Sequence, residues 1–148
     1  MADTARELAA EHAFLACQLL EFQKLARHAP HLDHVSVGSR YTGDGVYEFV
    51  LNCYLHHTHY NRKSEQIELS QQDQIDAIRT WAHKLGSELH LDEAKPAASY
   101  DPGTTGRRLW TEARLPNGLH VEISTVLYYD AEAPEYHGRP AAPAIAAA

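Results

Sequence analysis

The sequence is poor in sulfur and contains no long hydrophobic run. Only two cysteines, Cys17 and Cys53, and one methionine occur among its 148 residues. Neither cysteine belongs to a Cys-x-x-Cys pair, so the pattern disfavours a disulfide framework and favours reduced, buried thiols. No stretch approaches the ~20 apolar residues of a membrane-spanning helix, and the N-terminus lacks the apolar core of a secretion signal. These absences predict a soluble, cytoplasmic protein that does not bind a membrane.

The common catalytic signatures are missing as well. The sequence has no GxSxG, no phosphate loop ending in GK[ST], no HExxH and no GxGxxG, which disfavours a recognisable hydrolase, NTPase or oxidoreductase. The formal charge of −7 argues against a nucleic-acid partner, because such partners require a basic surface. The composition, rich in Ala and Arg and low in Lys, is typical of a GC-rich bacterial or phage genome.

Two amphipathic helices are predicted from hydrophobic spacing and capping residues. Thr4 and Glu7 match a capping box that opens the first helix, which ends before Pro30. Ser70 begins a second capping box, and Gly86 suits the left-handed residue that ends this helix. The apolar stripes have helical spacing: Leu8, Leu15, Leu19, Phe22 and Ala26 in the first helix, with His12 among them, and Ile75, Ile78, Ala82 and Leu85 in the second, with Trp81 at its edge.

Alternating patterns predict two hairpins and shorter strands between them. HVSVGSRY and VYEFVLNCYLH flank TGDG, whose glycines permit a turn. QIEL and ELHLDE each suggest a short strand. The final hairpin has a three-residue loop, Pro116 to Gly118. That loop pairs Leu115 with Leu119, Ala113 with Val121 and Thr111 with Ile123 on one face, and Arg114 with His120, Glu112 with Glu122 and Trp110 with Ser124 on the other.

These elements predict an α+β fold. We expect a two-layer sandwich in which two helices pack on one face of a mainly antiparallel sheet of about five to six strands. Residues 1–130 form one domain, large enough to bury its own core. Residues 94–106, rich in Pro, Gly, Ala, Ser and Thr, are expected to form a mobile loop. Residues 131–148 are expected to be a disordered Ala/Pro-rich tail.

The outward face of the predicted sheet carries most of the candidate functional residues. Because side chains alternate along a strand, this face collects polar and aromatic groups, and an outward tryptophan needs a cover. We therefore predict, in preference to an enzyme, a small binding or adaptor domain that holds a protein partner or its own copy as a homodimer. The predicted binding residues are Glu48, Asn52, Tyr54, His90, Asp92, Trp110, Arg114 and His120.

A small enzyme or ligand-binding protein is the alternative. The predicted register places Glu112 directly opposite Glu122, and like charges in that position are destabilising unless another group intervenes. Such a pair can raise one carboxyl pKa and prepare a general acid or base. Glu112, Glu122 and His120 are the catalytic candidates in this interpretation.

A second alternative is a metal site in the sequence HHTH at residues 56–59. In an extended chain His57 and His59 point the same way and can offer two nitrogens to zinc, nickel or copper, with a third ligand from His90, His120 or a carboxylate. The neighbouring Arg62 and Lys63 disfavour a dication. The sequence therefore favours a solvated strand end and no cofactor.

Overall fold

The computed structural model describes residues 2–60, 63–93, 95–96 and 104–130. These residues form two helices, α1 (Ala2–Ala26) and α2 (Gln71–Leu85), and each helix is followed by four strands. The strands are β1 (His34–Tyr41), β2 (Tyr47–Leu55), β3 (Thr58–Tyr60), β4 (Gln66–Glu68), β5 (His90–Leu91), β6 (Lys95–Pro96), β7 (Thr104–Arg114) and β8 (His120–Asp130).

The main sheet has the order β1-β2-β8-β7-β5, and β6 also pairs with β7. Its neighbours are antiparallel except β2 and β8, which run parallel at the centre of the sheet. Strands β3 and β4 form a separate two-stranded sheet. This mixed, mostly antiparallel sheet with two helices confirms the predicted α+β class.

The core lies between the sheet and the two helices. Alternate residues of the central strands face inward, and the side chains of the longest strands are almost completely buried there. Trp81 of α2 stacks on Phe22 of α1 with ring centroids 5.7 Å apart, and its indole nitrogen donates to the carbonyl of Pro30. The prediction placed Trp81 at the edge of its stripe, but it is central. The buried apolar residues of this cluster that lie on strands are Leu51, Cys53, Leu55, Leu109, Val121, Ile123 and Leu127, and Leu119 joins them from the loop before β8.

Helix α1 is packed against this core along only part of its length. It begins at Ala2, so the predicted start at Thr4 is wrong: the helix extends beyond the capping residues. Gln18 and Phe22 are buried, and Leu15 and Leu19 pack against the core. Residues 4–14 are exposed along the whole first half. The apolar stripe of α1 is therefore longer than the surface it covers.

Helix α2 has the boundaries that its capping residues predict. The Ser70 hydroxyl accepts from the backbone N–H of Asp73, and the Asp73 carboxylate accepts from the N–H of Ser70. Gly86 adopts φ 64°, a left-handed conformation that favours glycine. The buried face includes Ile75, Ile78 and Ala82.

The last hairpin has the predicted register throughout. Thr111 pairs with Ile123 and Glu112 with Glu122, while the backbone N–H of Leu115 donates to Leu119. The first hairpin has a turn one residue longer than predicted. Val46 belongs to the turn, where its carbonyl accepts from the N–H and hydroxyl of Thr42. Tyr41 therefore pairs with Tyr47 and Arg40 with Glu48.

The loop predicted at residues 94–106 is partly strand. Lys95 and Pro96 form β6, and β7 already begins at Thr104, because β8 is long enough to pair with these residues. Residues 94 and 97–103 lie outside the described residues, as does the predicted tail at 131–148.

Candidate binding surface on the outer face of the sheet

The candidate residues lie together on the face of the sheet opposite the helices. Strand register aligns them in rows across β2, β8 and β7, with Asn52 opposite Glu122 and Glu122 opposite Glu112. A second row joins Tyr54, Ser124, Trp110 and His90. The structure therefore brings together six strand residues predicted from alternation alone. We call this outward side the outer face.

Two arginines hold Glu48 from opposite sides. The Arg40 guanidinium, on β1, donates to Oε1 of Glu48 from Nη2 at 2.7 Å and from Nε at 3.1 Å. Arg114, on β7, reaches Oε2 of the same carboxylate at 2.8 Å. Hydrogen bonds from Arg114 and then Arg40 hold the pKa of the Glu48 carboxyl below its ordinary value. Glu48 is therefore ionised at neutral pH and links β1 to β7 across the outer face.

His120 and Glu112 form a second contact beside this one. His120 Nε2 lies 2.9 Å from Oε2 of Glu112 and 3.4 Å from Nη1 of Arg40. Only 8% of the His120 side chain is exposed, although it belongs to the outer face. Because Arg40 also approaches Glu112 at 4.0 Å, one guanidinium borders two carboxylates and an imidazole. The resulting network has carboxylates and cations in alternation.

The two glutamates predicted to face each other are separated by different partners. Glu112 contacts His120, whereas Glu122 contacts the guanidinium of Arg108. Their paired positions in the register therefore do not produce an unrelieved repulsion. Arg114, which follows Glu112 on the same face of β7, contacts Glu48 and the carbonyl of Gly118 instead.

Trp110 is held in a defined orientation by three neighbours. Its ring stacks on His90, with centroids 4.4 Å apart and planes inclined by 28°, and the Arg108 guanidinium lies 5.0 Å from its centroid. Its indole N–H donates to Oδ1 of Asp92 at 2.8 Å. Trp110 remains partly exposed. His90 and Asp92 thus act as its supports, a role that their spacing in the sequence did not reveal.

Tyr54 and Asn52 complete the candidate set. Burial raises the pKa of the Tyr54 hydroxyl, and the neighbouring Tyr128 adds to this effect, so the hydroxyl stays neutral at physiological pH. Asn52 is exposed and lies between Ser36 and Glu122 in the register. Its side-chain nitrogen is 2.9 Å from where a Cβ would stand at Gly38. Glycine at position 38 therefore leaves room for the amide.

Arg40 and Arg108 were not among the candidates. Arg40 was missed because a four-residue TGDG turn would shift the register of β1 and β2 by one residue. With Val46 assigned to the turn, Arg40 falls opposite Glu48. The signal for Arg108 was its alternation with Trp110, which places both side chains on one face.

The histidine run does not show a metal site within the described part of the chain. His56 meets Tyr54 edge to face at 4.4 Å, and His57 meets Tyr128 at 5.4 Å. The side chain of His59 lies outside the described residues. Among the residues described, no group of three His, Cys, Asp or Glu side chains could hold a metal ion. The HHTH site is therefore neither supported nor tested.

Two grooves occur along α1, away from the outer face. One, of about 680 Å³, is lined by Cys17, Leu20, Glu21, Gln23, Lys24, Ala26 and Arg27. The other, of about 420 Å³, lies between α1 and the loop that joins β7 to β8. Cys17 is exposed, so the expectation that both thiols are buried is wrong for this residue. Its position lies off the stripe that meets the core.

The comparisons with known proteins give no assignment: no family model, no curated protein and no solved structure matches this chain. Within the described ranges, neither helix is long and apolar enough to cross a membrane. Function is therefore inferred from the geometry of the outer face.

Proposed function

We propose that this protein is a small binding domain that engages a protein partner through the outer face of its sheet. The observation that supports this proposal is Trp110, which is partly exposed on the face opposite α1 and α2 and is fixed there by His90, Arg108 and Asp92. Tryptophan and arginine dominate the binding energy of many protein interfaces. An aromatic group that is already ordered also loses less entropy on binding.

The ion-pair network beside Trp110 supports the same function. Exposed ion pairs contribute little stability, commonly about 0–1 kcal/mol each, so folding alone gives little reason for four charged side chains of alternating sign beside an imidazole. Arg40, Glu48, Arg114, Glu112 and His120 offer a fixed pattern of charges. Such a pattern rejects partners with unmatched charges and sets the orientation of a matched one.

The test is affinity capture from an extract of the source cells, followed by binding measurements with the purified partner. Trp110→Ala should weaken binding at least about tenfold, as expected for a central aromatic group. Leu20→Ala provides a control, because Leu20 is an exposed apolar residue on α1. Equal capture by both variants and the unmodified protein would exclude the outer face as the binding surface.

An acid/base enzyme is the second candidate, and the 2.9 Å contact between His120 and Glu112 is the observation that favours it. A carboxylate that orients a nearly buried imidazole is a common arrangement in general acid/base catalysis. Glu122 fits this function less well, since Arg108 already contacts it. Turnover of small ester or amide substrates that is lost in His120→Gln and retained in Trp110→Ala would favour the enzyme over the binding domain.

A further inference from the structure

The first half of α1 carries an apolar stripe with no surface beneath it in the described chain. Gln18 and Asn117 are joined by two hydrogen bonds, so α1 crosses the loop between β7 and β8 at this point. Residues before Leu15 therefore extend past this end of β7 and β8. Leu8 lies two turns before Leu15, in line with the stripe that meets the core, yet its side chain is 52% exposed.

On its helix-facing side, the first hairpin has apolar residues that neither α1 nor α2 covers. Val35 and Val37 pair with Cys53 and Leu51, so they share the side of the sheet that forms the core. The exposed fractions of their side chains are 50% and 44%, while Leu51 and Cys53 are buried. Phe49 is 36% exposed on the same side. This half of the sheet therefore has an apolar surface that neither helix of the described residues covers.

We propose that a second copy of this chain fills both positions. In a twofold dimer, the first half of α1 from each copy would cover the Val35, Val37 and Phe49 surface of the other copy. Within the described ranges, one chain has a helix segment without a sheet and a sheet segment without a helix, so two copies satisfy each other reciprocally. This is the self-complementary arrangement of a twofold interface, in which the same surfaces meet twice.

The amount of apolar surface agrees with a dimer. Phe14, Tyr41, Tyr47 and Phe49 are between 36% and 67% exposed, and a buried aromatic side chain removes about 150–250 Å² from water, so half-exposed ones offer roughly 100 Å² each. Four of them supply about half of the ~800 Å² that each partner contributes to a stable interface. Leu8, Val35 and Val37 add to this area.

The exposed first half of α1 is a second reason to expect packing against another chain. A helical segment of about a dozen residues is only marginally stable in water without packing, and residues 4–14 of α1 are exposed throughout. Strand β1 supports the same partner, because it is the edge of the main sheet and pairs only with β2 among the described strands. An edge strand with exposed valines is a ready surface for association with another copy.

This surface is separate from the outer face, since it lies on the helix-facing side of the sheet. The test is sedimentation equilibrium of the full chain over about 1 to 200 µM, because dimerisation must follow mass action. Leu8→Lys should weaken the dimer at least about tenfold by placing a charge in an apolar contact. Leu20→Lys is the matched control: Leu20 is 57% exposed on the same helix but lies off the stripe, so this variant should dimerise like the unmodified protein.

A mixing experiment tests the reciprocal geometry directly. Val37→Glu alone should also be monomeric, whereas a mixture of Leu8→Lys with Val37→Glu should form a heterodimer. In that heterodimer the lysine of one copy meets the glutamate of the other, and the second contact is unmodified. Recovery in the mixture also shows that neither variant has simply failed to fold.

Two results would overturn the proposal. One is an unmodified protein that stays monomeric at every concentration, which would leave a different protein or another segment of this chain as the cover. The other is a dimer that Leu8→Lys and Leu20→Lys weaken equally. Loss of partner binding in Trp110→Ala would be a separate result, because that substitution lies on the opposite side of the sheet.

Discussion

Glu48 shows how residues on three strands fix one carboxylate. Arg114 on β7 and Arg40 on β1 both donate to it, although neither is adjacent to Glu48 in the sequence. The charge of Glu48 is therefore favoured in the folded state, where the two guanidinium groups are held close to it. The stability that Glu48 contributes to the fold should therefore depend on pH.

Replacing Glu48 by Gln should make the free energy of unfolding less sensitive to a fall in pH. Because the pKa of Glu48 is lowered on folding, its contribution to stability is present above the unfolded pKa and is lost as the pH falls through the lower folded pKa. Glu48→Gln should therefore lower the free energy of unfolding at pH 7, and the difference should shrink in acid. Urea denaturation of both proteins across this range measures it.

Glu93→Gln is the control for that experiment, since Glu93 is exposed and lies just after β5, outside any strand. It should change stability little at either pH. If Glu48→Gln lowers the free energy of unfolding equally in neutral and acidic solution, the effect comes from packing, and the electrostatic explanation is contradicted.

The two cysteines should differ strongly in reactivity. Burial raises the pKa of the Cys53 thiol to about 12, so the reactive thiolate is scarce at pH 8, and the side chain is also shielded from reagents. Cys17 is exposed. A thiol-specific reagent should modify one group per native chain and two after denaturation, as counted by mass spectrometry. Modification of two groups in the native Cys17-containing protein, or one in native Cys17→Ser, would contradict this expectation.

At the scale of the elements, α2 is the segment that its local sequence defines best. Both capping hydrogen bonds at Ser70 and the left-handed Gly86 are present. Ser70→Ala should reduce the free energy of unfolding by about 1 kcal/mol, because the first turn loses its side-chain acceptor. Thr80→Ala, in the exposed middle of the same helix, is the control and should be neutral or slightly stabilising. Equal losses in the two variants, measured by urea denaturation, would contradict a specific cap.

The last hairpin was predictable for the same reason: its information is local. Pro116 and Gly118 fix the loop, and an alternation of period two then assigns every later pair. The first hairpin shows the limit of this reasoning. Its two glycines permit several turn lengths, and placing Val46 in the strand shifted the register by one residue, which concealed the pairing of Arg40 with Glu48.

Other features depend on distant parts of the chain. Strands β3 and β6 have the sequences THY and KP, which carry no alternation of apolar and polar residues, so neither was predicted. The parallel pairing of β2 with β8 has no local signal. For the candidate site, alternation predicted which residues face outward, but the contacts of Trp110 with Asp92 and of His120 with Glu112 required the order of the strands.

At the scale of the whole molecule, the two tryptophans report on opposite sides of one sheet. Trp81 is buried in the core, and Trp110 lies on the outer face. If the domain unfolds as one unit, as domains of this size commonly do, Trp81→Phe and Trp110→Phe proteins should each give the same midpoint by fluorescence and by far-UV circular dichroism. Separate midpoints in the Trp81→Phe protein would show that the outer face melts independently.

The parallel contact at the centre of the sheet also has a consequence for synthesis on the ribosome. Strand β2 needs β8 as its inner neighbour, and the Thr125 hydroxyl donates to the Leu55 carbonyl across a separation of 70 residues. A nascent chain that has exposed α1, the first hairpin and α2 still lacks the strand that joins its two halves. Such long-range closure slows folding, so the inner edge of β2 stays unpaired and open to pairing with other chains until β8 has emerged.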